Sequence, residues 1–333
     1  MVDASGAPVT GLKPDDFTLT DDRVPQKLAS FREVKGSAGL APVHIILLLD
    51  AVNNSRSDVA HEIKEIDKYL ALQQGHIRFP TSLAILSSSG ITVGQGSQEK
   101  GALLEESRTL FEGIHTDSCN TRDDIDPFPT NSGLGGASIG MSVEKTNKAD
   151  CLNKRFATAV MQLRELAVEQ EDTLGRVLLV WIGPGWPHLS GPEFQRDTPA
   201  TRENFFDYIV ELSRVLREAQ VTVDAVYSPE MLRNTGDDNT RDEDVVEGVP
   251  TEEQASARAL ALQAIARQSG GRVLAGKNIA DSIAECVADA RSYYALSFDS
   301  VPSSQPDEYH VLDVQVNKPG VKVFTTSSYY GEP

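Results

Sequence analysis

The chain has 333 residues, 40% of them hydrophobic and 24% charged, a balance that excludes a mostly disordered, collagen-like or disulfide-scaffold protein. Lys and Arg number 31 against 49 Asp and Glu, a formal net charge of -18; a polyanionic duplex would repel such a chain, so nucleic acid is not an expected partner. The most apolar runs, residues 43–49 and 177–182, fall far short of the roughly 20 residues that cross a bilayer, so no membrane span is expected.

Up to about residue 40 the text consists of short alternations, Phe17-Thr18-Leu19-Thr20 and Lys27-Leu28-Ala29-Ser30-Phe31, punctuated by Gly6, Pro8, Gly11, Pro14 and Pro25. That pattern predicts small antiparallel strands joined by turns. Residues 43–49 are apolar on both faces, as in a central parallel strand covered by helices on each side. Val59, Ile63, Ile66 and Leu70 then recur at helical spacing, and strands are expected at 83–86 and 91–93. Leu103, Leu104, Leu110 and Phe111 predict a second helix, and Leu152, Phe156, Val160, Leu163 and Leu166 a longer third. A fully apolar strand at 176–182 stops at the turn Gly183-Pro184-Gly185-Trp186. Phe205, Ile209, Leu212 and Leu216 mark the next helix, 221–227 the next strand, and Ala255, Ala259, Leu262 and Ile265 another helix, which Ser269-Gly270-Gly271 ends. A short strand at 272–274 and a helix through Ile283 and Val287 complete the alternation.

Strand and helix so interleaved predict a doubly wound, Rossmann-like, mostly parallel α/β sheet over residues 41–290. After Arg291 the pattern returns to β, at 293–298, 309–316 and 321–324. The flanking segments 1–40 and 291–333 are therefore expected to pair into a small β module. Two long connections, an insert at about 115–150 and an acidic loop at about 234–253, stand out as functional or irregular segments.

Signals for covalent or metal chemistry are sparse. The six histidines show no paired zinc spacing, and neither a Gly-x-Ser-x-Gly elbow nor a phosphate-cradling Gly-Lys-Ser/Thr loop is present. His44, inside the central strand, reads as a hydrogen-bonded core residue. The acidic run from Asp237 lacks EF-hand order, because Arg241 stands where an oxygen ligand is needed. Cys286 falls on a helix stripe and reads as a buried thiol. Cys119 and Cys151 bracket a Gly/Ser/Asn/Asp-rich stretch and form a candidate disulfide in an oxidising compartment.

Several segments resemble a known family. Gly6-Ala7-Pro8-Val9-Thr10-Gly11-Leu12, then Asp15-Asp16-Phe17-Thr18-Leu19, and late in the chain Ser269-Gly270-Gly271, Ser292-Tyr293-Tyr294-Ala295-Leu296, Pro319-Gly320 and Tyr329-Tyr330-Gly331 are similar to the von Willebrand factor type A (vWA) superfamily. Within it they look like the secreted bacterial VWFA-related proteins of the acidobacterial type. The resemblance implies a divalent ion at the carboxyl edge of the sheet, held by an Asp-x-Ser-x-Ser motif after the first strand. This sequence reads Asp50-Ala51-Val52-Asn53-Asn54-Ser55: Val52 cannot ligate, and Asn54 offers only an amide oxygen. Gly183-Pro184-Gly185 stands where the family has a further acid, and Thr130 lies in the general loop of its distant threonine.

The implied adhesion site is therefore degraded, with Asp50, Asn54 and Ser55 left as ligands for Mg²⁺ or Ca²⁺; the other reading of Asp50 is a carboxylate that caps the following helix. The function so implied is a non-enzymatic protein-interaction or adhesion module, secreted or in the cell envelope. Its contacts are expected at Asn53, Asn54, Ser88, Trp186 and His188. A structural spacer or assembly component is the alternative, and a hydrolase using Asp50 with His115 or His188 a third reading. Residues 1–6 carry neither the basic nor the apolar region of a signal peptide, so the extracytoplasmic expectation rests on the resemblance.

Overall fold

A computed structural model describes residues 1–4, 6–35, 42–114, 116, 136–186, 198–234, 248–300 and 302–332, the side chains of 136–148 and 232–234 excepted. Strands β1 (Phe17–Asp21), β2 (Val24–Gln26) and β3 (Leu28–Lys35) precede β4 (Val43–Asp50), α1 (Arg56–Leu72), β5 (His76–Ser87), β6 (Gly90–Val93) and β7 (Ser97–Glu99). Next come α2 (Lys100–Leu110), α3 (Gly136–Glu169), β8 (Arg176–Ile182), α4 (Pro199–Glu218), β9 (Val221–Tyr227) and α5 (Pro229–Asn234). They are followed by α6 (Leu262–Gln268), β10 (Val273–Ala275), α7 (Ile279–Asp289), β11 (Ser292–Phe298), β12 (Glu308–Val316) and β13 (Ser328–Gly331).

The architecture is mixed α/β with a mostly parallel central sheet in the order β10-β9-β8-β4-β5-β6. Strands β10 through β5 run parallel, while β6 and β7 are antiparallel to β5. The apolar run of β4 follows from its place at the centre. Ile46 and Leu48 pack with Leu179, Trp181 and residues of α3, α4 and α6; Ile45, Leu47 and Leu49 face the other way, against Val59 and Ile66 of α1, Leu103 of α2 and Ile283 of α7. A strand covered by helices on both faces has no side left for polar alternation. Helix starts are fixed locally: Ser55, Thr198 and Asn278 each accept the backbone N–H three residues on, at the starts of α1, α4 and α7.

The strands outside the central sheet join distant parts of the chain. A four-stranded sheet has the order β13-β12-β1-β2, and β3 pairs with β11. Phe17 of β1, Phe31 of β3 and Tyr294 of β11 pack in edge-on and tilted pairs with centroids 5.3–5.7 Å apart and so bind the two sheets together.

The structure departs from expectation in three places. Instead of one helix through Ala255, Ala259 and Ile265, two 3-10 turns, Glu252–Gln254 and Ala257–Leu260, precede the short α6. Ala261 is extended there, and the Leu260 carbonyl is taken by the Trp186 indole N–H at 2.8 Å. Residues 321–324 form no strand: Lys322 makes an isolated bridge to Val2, and the Arg272 guanidinium lies over the Phe324 ring. Conversely, β13 and the first half of β5 exceed what alternation showed. Residues 117–135 of the expected insert and 235–247 of the acidic loop lie outside the described residues.

Leu48 is fully buried in the central strand and Val311 is 48% exposed on β12. Leu48→Ala is expected to lower the unfolding free energy by about 2–5 kcal/mol and Val311→Ala by no more than about 0.5 kcal/mol, read from urea melts followed by circular dichroism.

Candidate functional site at the carboxyl end of the sheet

In a parallel sheet, ligands collect where strand order reverses, outside the carboxyl ends of the strands. Here the chain goes from β4 outward to β5, then returns to β8 on the other side of β4. The crevice between the ends of β4 and β8 is therefore the place to look, and it presents Asp50 opposite Gly183.

Asp50 is fully buried. Its Oδ1 accepts the backbone N–H groups of Val52 at 3.1 Å and Asn53 at 3.0 Å. Its Oδ2 accepts the Trp181 indole N–H at 3.1 Å, and the Asn53 amide reaches both oxygens at 3.2 and 2.9 Å. A carboxylate offers about four lone-pair directions, and four donor nitrogens converge on this one. Burial pushes the Asp50 carboxyl above its ordinary value, and the hydrogen bonds from Asn53, Trp181 and Val52 oppose that rise.

Behind it, Asn54 donates to the Asp50 carbonyl at 3.2 Å and to Glu62 Oε2 at 2.7 Å. Glu62 of α1 is fully buried, and its Oε1 takes no hydrogen bond. Desolvation drives its carboxyl well above the usual range; Asn54 opposes this, while the charges of Asp50 and Asp58 add to it. The sequence marks Glu62 only by its place on the apolar stripe, between Val59 and Ile66.

Gly183 closes the crevice. Its φ of +140° lies where side chains rarely go, and a Cβ there would sit 2.8 Å from Asp50 Cβ and 3.1 Å from Asn54 Nδ2. The residue that replaces the expected acid is the one that lets β8 approach Asp50 this closely. These residues do not fit a resident Mg²⁺ or Ca²⁺. N–H groups point their positive ends at both Asp50 oxygens, Val52 is a buried hydrocarbon, and the Ser55 hydroxyl caps α1 and donates to Asp58 at 2.6 Å.

The expected contact residues divide. Asn53 and Asn54 are buried as pins of this network, and Trp186, only 3% exposed, packs edge-on against Trp181 with its N–H on Leu260. In each case the side-chain N–H groups bond inside the fold, Asn53 to Asp50, Asn54 to Asp50 and Glu62, and Trp186 to Leu260. Ser88, in the turn after β5, is exposed, beside exposed Ser89, and Ser55 and Ser57 are exposed across the same edge. His188, His115, Thr130 and Cys119 lie outside the described residues; with them go the hydrolase pairing of Asp50 and the Cys119–Cys151 bridge. Cys286 is a free, buried thiol. His44 is half-buried, with Nε2 3.0 Å from Ser82 Oγ. At the opposite end of the strands lies a cavity of 490 Å³ lined by Arg176, Thr222, Asp224 and Tyr293 among others. There the Arg176 guanidinium donates to Thr222 Oγ1 and rests over Tyr293. Among the described residues, three ligand groups of the His, Cys, Asp and Glu type converge at Asp21, Asp22 and His310, a cluster that sequence spacing could not reveal.

No family model and no curated protein sequence matches the chain. Among solved structures it is similar to proximal thread matrix protein 1 of the mussel byssus, at 8% identity and a TM-score of 0.34 over 80% of this chain and 49% of that one. It is also similar to the manganese-loaded TRAP protein of Plasmodium vivax, at 12% identity and a TM-score of 0.33 over 91% and 98% of the two chains. A third is the conserved hypothetical protein BatB of Bacteroides thetaiotaomicron, at 13% identity and a TM-score of 0.33 over 74% and 97%. The chain thus spans about half the length of the mussel protein. Overlaps this loose transfer no residue role.

A buried acid with a raised pKa binds a proton in the native state that the unfolded chain releases, so its contribution falls as pH rises from the ordinary Glu value through the folded one. Glu62→Gln is therefore expected to raise the thermal midpoint at about pH 8 by about 2–4 °C. The difference should shrink towards about pH 4.5, which differential scanning calorimetry across that range would show.

Proposed function

We propose that the chain is a non-enzymatic protein-interaction module with a doubly wound sheet of the vWA type, which binds its partner at the carboxyl edge without a metal ion. The supporting observation is the bonding of Asp50. The Asp50 carboxylate at the strand-order reversal is taken up by four N–H donors within its own fold, which leaves recognition to the exposed rim around it. That rim carries Ser55 and Ser57 at the start of α1 and Ser88 and Ser89 after β5. Short hydroxyl side chains on a rigid scaffold suit contacts with another protein's polar surface, because little side-chain entropy is lost when they are fixed. The resemblance of the leading and closing segments supports a secreted or envelope location, where a Cys119–Cys151 bridge would persist.

A photo-cross-linking residue placed at Ser88 tests the edge, with the same residue at Leu174, 83% exposed just ahead of β8 at the opposite end, as control. Incubated with extract of the source organism, the Ser88 protein is expected to give a discrete cross-linked band that chelator does not remove and the Leu174 protein lacks. Bands of equal intensity from both positions would sink the edge assignment. Turnover of ester, peptide or glycoside substrates at enzyme-like rates would sink the non-enzymatic reading.

A further inference from the structure

The turn from β1 to β2 consists of two residues, Asp22 and Arg23, with φ of 49° and 68°. Both lie in the left-handed region, which suits the twist of a tight hairpin but which glycine and asparagine adopt more readily. The strain is held by β12: the Asp22 N–H donates to the Val311 carbonyl at 2.9 Å, and the Val311 N–H donates to Asp22 Oδ1 at 2.9 Å. Those two bonds aim the other carboxylate oxygen of Asp22 at His310, the neighbour of Val311. Asp21, the last residue of β1, points to the same place.

The remaining polar atoms are each held by a partner outside the cluster. Tyr329 of β13 donates its hydroxyl to Asp21 Oδ2 at 2.8 Å and stacks its ring on His310, centroids 4.7 Å apart and planes 10° off parallel. Ser303 Oγ lies 3.1 Å from His310 Nε2. What is left over converges. His310 Nδ1 stands 3.3 Å from Asp21 Oδ1 and 3.0 Å from Asp22 Oδ2. The Asp21 and His310 side chains are 4% and 9% exposed, yet neither Asp21 Oδ1 nor His310 Nδ1 makes a hydrogen bond. Enclosed polar atoms of a native fold are rarely left so.

We propose that Asp21, Asp22 and His310 bind a divalent transition-metal ion of the zinc type. Ligand atoms bonded at roughly 2.0–2.1 Å around a tetrahedral ion stand about 3.3 Å from one another; His310 Nδ1 stands 3.3 and 3.0 Å from the two carboxylate oxygens, and ligand atoms of all three residues lie within 4.8 Å of one another. One imidazole nitrogen with two carboxylates selects Zn²⁺ and its neighbours over Mg²⁺ and Ca²⁺, which take oxygen ligands in larger number. Tyr329, Ser303 and the Val311 N–H orient the three ligands, as second partners do in metal sites. Asp22, half exposed, leaves the fourth position open to water. Bound there, the ion ties the β1–β2 turn to β12. The assignment is independent of what the carboxyl edge of the central sheet binds.

The test is titration of chelator-treated, dialysed protein with ZnCl₂ in a calorimeter, with metal content measured by mass spectrometry and Co²⁺ as a spectroscopic probe. The expected result is one Zn²⁺ per chain, a raised thermal midpoint, and the intense visible bands of a tetrahedral Co²⁺ site. Asp22→Asn keeps the turn and the oxygen that accepts from Val311, so it should fold as the parent does by circular dichroism while binding at least about tenfold more weakly. His310→Gln should behave likewise, and Glu105→Gln, at an exposed acid of α2, should bind as the parent does. Absence of binding by the parent would overturn the assignment, as would unchanged affinity in folded Asp22→Asn.

Discussion

The carboxylate of Asp50 is the fixed point of the central sheet's carboxyl edge. A charge-bearing group with no exposure to water is tolerated only where hydrogen bonds replace its hydration. Here the replacements come from three directions: the turn that begins α1, the side chain of Asn53, and the indole of Trp181 on the neighbouring strand. Because Trp181 packs edge-on against Trp186, whose N–H holds the Leu260 carbonyl, the constraint runs from β4 through β8 to the 3-10 turns before α6. The missing side chain at Gly183 and the hydrocarbon of Val52 belong to the same arrangement, in which the polar atoms of the edge serve the fold.

How much of this could be read in advance depended on whether the signal was local. The β4 run, the turn after β8 and the stripes of α1, α4 and α7 are written in consecutive residues, and the elements stand where those stretches are. β5 reaches back to His76 through Arg78, Phe79 and Pro80, where a proline hides the strand, and its pairing with β7 is irregular between His76 and Thr81. The 3-10 turns ahead of α6 were masked by alanines that fit a helix equally well; the indole that draws off the Leu260 carbonyl sits 74 positions away.

The same distinction separates the two polar clusters. Asp50 stands out in the sequence as an acid ending an apolar strand, but its burial depends on Trp181, 131 positions on. Trp186 was legible as an aromatic beside a turn and not as a buried one, since its fate is set by residues it meets only in the folded chain. Asp21 and His310 sit in separate short strands whose alternation is ordinary, and only the β1–β12 register, with Asp21 opposite Leu312, brings them together.

That register has a consequence for how the chain is made. Phe17 pairs with Val316 and Lys35 with Ser292, so β1 and β3 are completed by strands that follow the whole central sheet in the chain. Until then β1 and β3 have open edges, and exposed edges invite pairing with other chains. The central sheet, built from neighbours closer in sequence, is able to form ahead of them, whereas closure of the outer strands waits until β11 and β12 have been made. Nascent-chain truncations that stop before β11 would thus carry a finished α/β core beside an unsatisfied N-terminal segment, the form of this protein most in need of a chaperone.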